Sequence, residues 1–153
     1  MMQFLETRII PPVVMAIFAL IMWGVAQVTP AIDLGSMSNV ISKLFLVAGF
    51  AILFIAAFYF FKAKTTLNPM NPTSSSALVT TGLYKFSRNP IYVADVLFLL
   101  SWGFYLSNPL SLVVILGFMP YLNRFQIEPE ERALEQLFGQ DYVAFKDRVR
   151  RWI

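Results

Sequence analysis

The run VISKLFLVAGFAILFIAAFYFF, residues 40–61, carries one charged side chain, Lys43, and its reading decides the fold. A helix needs about 20 apolar residues to cross a hydrocarbon core of about 30 Å, and this run supplies them. Lys43 stands near one end, where its stem can lie along apolar surface while the ammonium reaches water. Residues 9–28 read as another crossing, with Pro11 and Pro12 near its start, where a helix tolerates proline. Pro30, Asp33, Gly35 and Ser36 mark the link between the two. Composition agrees: of 153 residues 58% are hydrophobic and only 14% charged. The expected class is an all-α integral membrane protein, a single domain over residues 1–153. The first crossing has no basic cluster before it and no A-x-A site after it, so it is expected to be a permanent helix and not a cleaved signal.

The chain has neither Cys nor His. Disulfides, thiol nucleophiles, Ser-His and Cys-His dyads and zinc sites built from those ligands are therefore excluded. Chemistry is left to carboxylates, Arg, Lys, Tyr, Asn, backbone groups or a cofactor, and neither a metal nor a nucleic acid is expected as a partner.

Past Lys62 and Lys64 comes a turn-rich stretch, TTLNPMNPTSSSALVTTG, whose Asn-Pro pairs cannot continue a helix. Residues 91–106 and 109–122, joined by Ser107-Asn108-Pro109, read as a helical hairpin. Its arms are short, roughly 21–24 Å at 1.5 Å per residue, so either they run past these boundaries or their polar ends lie below the membrane surface. Residues 124–153 form a charged C-terminal segment. In it Leu134, Leu137, Phe138, Tyr142, Phe145 and Val149 recur at three- and four-residue steps, and Gly139 divides it into two helices. This segment is expected to lie along the membrane surface or to fold back over the hairpin ends. The full expectation is about four spans (9–28, 40–61, 91–106, 109–122), a loop at 62–90 and an amphipathic tail.

Arg8, Lys62, Lys64, Lys85, Arg88, Arg124, Arg132, Lys146, Arg148, Arg150 and Arg151 fall on one face of a four-span arrangement, and only Lys43 lies near the other. The positive-inside bias then makes both termini, the loop and the tail cytoplasmic. A prokaryotic plasma membrane is the expected location.

Two places stand out chemically. In YKFSRNPIYVAD, residues 84–95, a cation, an amide and a proline open an apolar helix that then carries Asp95. An ionisable group within a span is costly and by default a functional candidate, with Tyr92 on the same helix face. The other reading makes Asp95 a structural partner of Arg88, Arg124 or a backbone amide. The second place is Glu130 and Glu131, after Glu128 and Pro129. Acids in a first helical turn ordinarily complement the helix dipole. Here, though, Arg88, Asn89, Arg124 and both glutamates converge at one end of the hairpin, where carboxylates beside arginine can hold a polar, cationic ligand.

LVTTGLYKFSRNPIYVAD, followed after the hairpin by NRFQIEPEERALEQLFGQDYVAFKDRVRRWI, resembles the isoprenylcysteine carboxyl methyltransferase family in its short prokaryotic branch. The shared pattern is Gly-x-Tyr, Arg-(His or Asn)-Pro-x-Tyr, an acidic pair before Leu, Phe-Gly-x-x-Tyr and a basic close. It covers Leu78 to the end, and the earlier spans match only as apolar segments. The resemblance implies an S-adenosylmethionine-dependent membrane methyltransferase without a Rossmann domain. It nominates Tyr84, Asn89, Tyr92, Glu130 and Glu131 for the cofactor and Arg124 for orienting an acceptor carboxylate; independently of it, an amine or thiol acceptor would have to lose a proton, for which Asp95 or a Glu, here Glu131, is the built-in acid-base group. Asn89 stands where the family has His, so no titrating group occupies that position. Ala94 and Asp95 depart from the eukaryotic pattern and leave the acceptor open.

Methyl transfer from a sulfonium suits this residue set, because the donor is already activated and positioning supplies much of the catalysis. The reading is therefore methyl transfer to a lipophilic small molecule or lipid, through a carboxylate or an amine, at the cytoplasmic membrane face. A membrane reductase using a nicotinamide cofactor and a non-catalytic helical bundle are the alternatives.

Overall fold

The computed structural model describes residues 9–32, 35–64 and 76–153. Arg8, Asp33 and the first part of the turn-rich loop, residues 65–75, lie outside the described residues.

Among the described residues six α-helices follow one another: α1 (Pro11–Val28), α2 (Ser36–Lys62), α3 (Pro90–Tyr105), α4 (Pro109–Leu122), α5 (Glu128–Phe138) and α6 (Gln140–Arg148). A 3-10 turn, Gly82–Lys85, precedes α3. Helices α1, α3 and α4 start with proline at the first position, where the missing N–H has no intrahelical acceptor to lose. The chain is thus an all-helical membrane protein. Among the described residues three helices are long and apolar enough to cross a bilayer: Pro11–Val28, Ser36–Lys62 and a continuous rod, Pro109–Phe138. α3, at 16 residues, is apolar but shorter.

The rod differs from the expected break after residue 122. α4 passes into α5 through a π-helical segment, Asn123–Ile127, in which the Glu128 N–H donates to the Asn123 carbonyl five residues back. Pro129 explains the shift: it lacks an N–H and its ring would crowd the carbonyl four residues earlier, so a wider turn lets the helix continue. Gly139, at φ 53° and ψ −126°, then ends α5 and opens α6, as its position in the sequence predicts. Of the two placements expected for the tail, it takes the second: α6 folds back so that Tyr142, Phe145 and Val149 pack with Ala56 of α2, Val79 and Tyr84.

Lipid is as apolar as leucine, so the bundle is held by close packing and interhelical hydrogen bonds and not by exclusion from water. On α2, the buried Ser42, Gly49 and Ala56 recur every seven residues. A Cβ on Gly49 would lie 2.7 Å from the Phe98 ring of α3, so any larger residue there would have to push that ring aside. The Ser101 hydroxyl donates to the Ser42 carbonyl at 2.8 Å, with the two serine oxygens 3.2 Å apart. Ser38 Oγ likewise bonds to the Phe104 carbonyl. At the hairpin tip, Ser107 takes a positive φ and Asn108 caps α4 by accepting from Ser111 N at 2.9 Å. The Asn108 amide also donates to Thr29 Oγ1 at 2.9 Å, stitching the hairpin to the end of α1.

Candidate functional site

The charged ends of α3, the π segment, α5 and α6 meet with the C-terminal strand of chain at one end of the bundle. Gly82 makes the approach possible. Its φ is +64°, and a Cβ there would lie 2.0 Å from the Tyr59 ring, so the Gly-x-Tyr spacing is a packing requirement that delivers Tyr84. Tyr84 is buried, its ring edge-on to Phe60 with centroids 5.4 Å apart. Burial, with a smaller contribution from the charge of Glu130, pushes its phenol up from the ordinary value.

Arg88 and Glu131 form a clamp. Arg88 Nη2 donates to Glu131 Oε1 at 2.7 Å, and Nη1 donates to the carbonyls of Lys146 at 3.0 Å and Val149 at 2.7 Å, capping the end of α6. Arg151 completes it, with Nη2 to Glu131 Oε2 at 2.7 Å and Nε to Oε1 at 3.1 Å. Burial alone would raise the Glu131 carboxyl, but hydrogen bonds from Arg151 and Arg88, with their charges, outweigh it and hold it below 4.5. The neighbouring backbone is tied in the same way. Arg88 N donates to the Arg150 carbonyl at 3.0 Å, Asn89 Nδ2 to the Arg151 carbonyl at 3.0 Å, and Trp152 Nε1 to Asn123 Oδ1 at 3.0 Å. Asn89, in this arrangement, holds the tail across the start of α3.

Glu130 has a different environment. Tyr92 Oη donates to its Oε1 at 2.6 Å and Gln126 Nε2 to the same oxygen at 2.6 Å. Among the described residues, no cationic side chain pairs with Glu130, and its Oε2 takes no hydrogen bond. Glu130 stands beyond the apolar stretch of the rod and keeps part of its surface exposed. Burial is the main cause that lifts its carboxyl to about 7, the negative charge of Glu131 adds to it, and the bonds from Tyr92 and Gln126 oppose it. The two adjacent glutamates are thus driven apart: Glu131 is bound by two arginines, whereas Glu130 is oriented by two neutral donors and has no counter-charge among the described residues.

Arg124 lies in the π segment, 3.8 Å from Glu128 and with its guanidinium 5.7 Å from the Phe125 ring centroid. Asp95 lies one turn deeper on α3 than Tyr92 and is 7% exposed. The expected structural pairing of Asp95 with Arg88 or Arg124 does not occur among the described residues: Arg88 is committed to Glu131, and Asp95 Oδ2 is buried without a hydrogen-bond partner. The structure therefore brings Asn89, Tyr92, Glu130 and Glu131 together, backs them with Tyr84, and sets Arg124 and Asp95 to either side.

Reading the sequence alone missed Gln126 and Arg151. Gln126 stands four residues before Glu130 on a helix, a spacing at which side chains meet, but the break placed after residue 122 concealed it. Arg151 sits in a basic run with no local signal to separate it from its neighbours.

These features define a polytopic helical membrane protein with a carboxylate-centred polar site at its charged end. The chain belongs to the phospholipid methyltransferase family, whose model matches residues 37–141. It is 33% identical over 76 residues to the protein-S-isoprenylcysteine O-methyltransferase of Saccharomyces cerevisiae and 36% identical over 80 residues to that of Xenopus laevis. Each match covers 50% of this chain, but only 32% of the yeast protein and 27% of the Xenopus one. An uncharacterized Haemophilus influenzae protein is 40% identical over 63 residues, 41% of this chain and the whole of that protein. No solved structure matches the chain. Its family is thus one of membrane methyltransferases, and the relatives with a named activity are enzymes of that class.

Proposed function

We propose that the protein transfers the methyl group of S-adenosylmethionine to a lipophilic acceptor at the cytoplasmic face of a prokaryotic plasma membrane. The carrying observation is Glu130: a carboxylate fixed by Tyr92 and Gln126 at 2.6 Å each, with no cationic partner among the described residues. Such a group fits a cationic ligand, and S-adenosylmethionine carries both a sulfonium and an ammonium. When bound, that cofactor supplies an activated methyl group, so the protein's part is to position and to exclude water.

The chain's residues divide that work. Glu130 balances positive charge, Tyr92 and Gln126 orient it, and Tyr84 backs the wall behind them. Arg88, Glu131 and Arg151 hold α6 and the tail over the start of α3, and Asn89 fixes the tail through the Arg151 carbonyl. By this geometry Glu131 acts as a positioning residue for the pocket. Arg124, paired with Glu128 at the other side of the site, is the residue assigned to orient a polar acceptor headgroup. Apolar acceptors enter from lipid and the polar cofactor from the cytoplasm, which is where the basic residues place the charged ends.

Isothermal titration of the detergent-solubilised protein with S-adenosylhomocysteine tests this reading. Binding that is lost in Glu130→Ala supports it. Absence of binding in the unaltered protein, or binding only of a nicotinamide nucleotide, overturns it.

A further inference from the structure

We propose that the charged end of the bundle carries a seat for anionic phospholipid headgroups, built from Lys62, Lys64, Lys85, Arg148 and Arg150 with the exposed ring of Phe86 among them. The inference is independent of methyl transfer and rests on three chain segments that the fold gathers in one place. Gly82 lies against the Tyr59 ring, so the 3-10 turn that ends at Lys85 abuts the last turn of α2, which ends at Lys62. Arg88 joins this turn to the tail: its N–H donates to the Arg150 carbonyl at 3.0 Å and its Nη1 to the Val149 carbonyl at 2.7 Å. Lys85, Phe86, Arg148 and Arg150 thus all lie within a few residues of that junction. The five cations are exposed, and among the described residues none of them pairs with a carboxylate. Arg88 and Arg151, by contrast, are committed to Glu131, and Lys146 to Glu135. Asp147, exposed and next to Arg148 in sequence, offsets one of the five charges and leaves the surface basic.

Depth in the bilayer selects the partner. Lys43 and Lys62 bracket the apolar stretch of α2, with no charged residue between them. The rise from one to the other is about 28 Å at 1.5 Å per residue, one hydrocarbon thickness of about 30 Å. Lys62 therefore sits where hydrocarbon gives way to headgroups, and the turn packed against Tyr59 sits at that depth too. Phe61 is 84% exposed and Phe86 72%. Apolar rings at this level reach the acyl boundary while the neighbouring cations reach the phosphates. A soluble acidic partner would have to displace headgroups to contact these side chains, whereas lipids of the surrounding leaflet already stand beside them. Each cation held near an anionic surface is worth about fivefold in occupancy, and a lipid of net negative charge keeps that gain where a zwitterionic one does not. A phosphate shared by Lys85 and Arg150 would tie the turn before α3 to the tail beside Arg88, reinforcing the junction that holds α6 over the candidate site.

Mass spectrometry of the unaltered protein, released from nanodiscs of mixed phosphatidylcholine and phosphatidylglycerol, counts the lipids that stay bound. Phosphatidylglycerol should be enriched over phosphatidylcholine at least about fivefold relative to the surrounding bilayer. Changing one cation in each segment together, Lys62→Gln, Lys85→Gln and Arg150→Gln, should bring the retained ratio to within about twofold of the bilayer's. The enrichment in the unaltered protein decides the matter even if that variant does not fold. Phe86→Cys places a single thiol in a chain that has no other cysteine. A nitroxide attached there should be reached by oxygen more readily than by a water-soluble nickel chelate. Equal retention of the two lipids, enrichment that survives the triple change, or a label at position 86 better reached by the nickel chelate overturns the proposal.

Discussion

Replacing Arg88 with alanine should unfasten α6 and the tail without unfolding the bundle. The Arg88 side chain is 10% exposed and makes three hydrogen bonds, to Glu131 and to the carbonyls of Lys146 and Val149. Removing one partner of a buried ion pair costs about 3–5 kcal/mol, chiefly because the other charge is left uncompensated. Here Arg151 remains on Glu131 and the freed carbonyls can meet water, which puts the expected cost at the lower end, about 3 kcal/mol. That corresponds to an opening of α6 about a hundredfold more frequent. Hydrogen exchange followed by mass spectrometry in nanodiscs should show it as faster exchange over Tyr142–Val149, with α2 and α3 unchanged. Arg88→Lys keeps the charge, but a compact ammonium cannot span the acceptors that Nη1 and Nη2 reach separately, and it should fall between. Exchange in α6 within about threefold of the parent would refute the clamp, and faster exchange throughout the spanning helices would refute its independence from the bundle.

Cofactor binding should depend on pH through Glu130. Its carboxyl is lifted to about 7, so it is largely protonated in the mildly acidic range and ionised above. Affinity for S-adenosylmethionine should therefore rise as pH increases through about 7 and level off beyond, and Glu130→Gln should flatten the profile; a parent affinity that does not change with pH would contradict this. The stability contributions of the two glutamates run in opposite directions. Glu130, raised, contributes stability below 4.5 that is lost as pH climbs through about 7, whereas Glu131, lowered, contributes stability above 4.5 that is lost as pH falls through its depressed value. Gly82→Ala must both hold a positive φ and displace the Tyr59 ring, for a combined loss of about 2–4 kcal/mol that a thermal melt in detergent would reveal. Ser101→Ala removes both interhelical hydrogen bonds to Ser42, to its carbonyl and its hydroxyl, and should cost only about 1 kcal/mol; a loss several times larger would mean that the serine pair organises more than its own contacts.

The helical membrane architecture was legible because apolar length is a strong signal: the run over 40–61 has no other comfortable home. The turn chemistry was equally local, as the positive φ of Gly139 and the hairpin at Ser107-Asn108-Pro109 show. What the sequence concealed was the continuity of α4 with α5. Pro129, directly after Glu128, reads as a helix start, and only the packed structure shows a π segment absorbing it. The candidate site was legible as a set of residues but not as a set of roles. Glu130 and Glu131 are adjacent and chemically identical, and their separation into an uncompensated and a clamped carboxylate depends on Arg88 and Arg151, which lie 43 and 20 residues away from Glu131. Asp95 raised the same difficulty: sequence offered two arginines as partners, and tertiary structure gave Arg88 to another acid.

The most direct measurement reconstitutes the purified protein in liposomes containing amine-bearing and anionic lipids, adds S-adenosylmethionine labelled at its methyl group, and partitions the products between organic and aqueous phases. Methyl transfer to a lipophilic acceptor predicts label in the organic phase that depends on the protein and disappears with Glu130→Ala. Label that stays wholly in the aqueous phase when the protein and every lipid class are present would contradict the account.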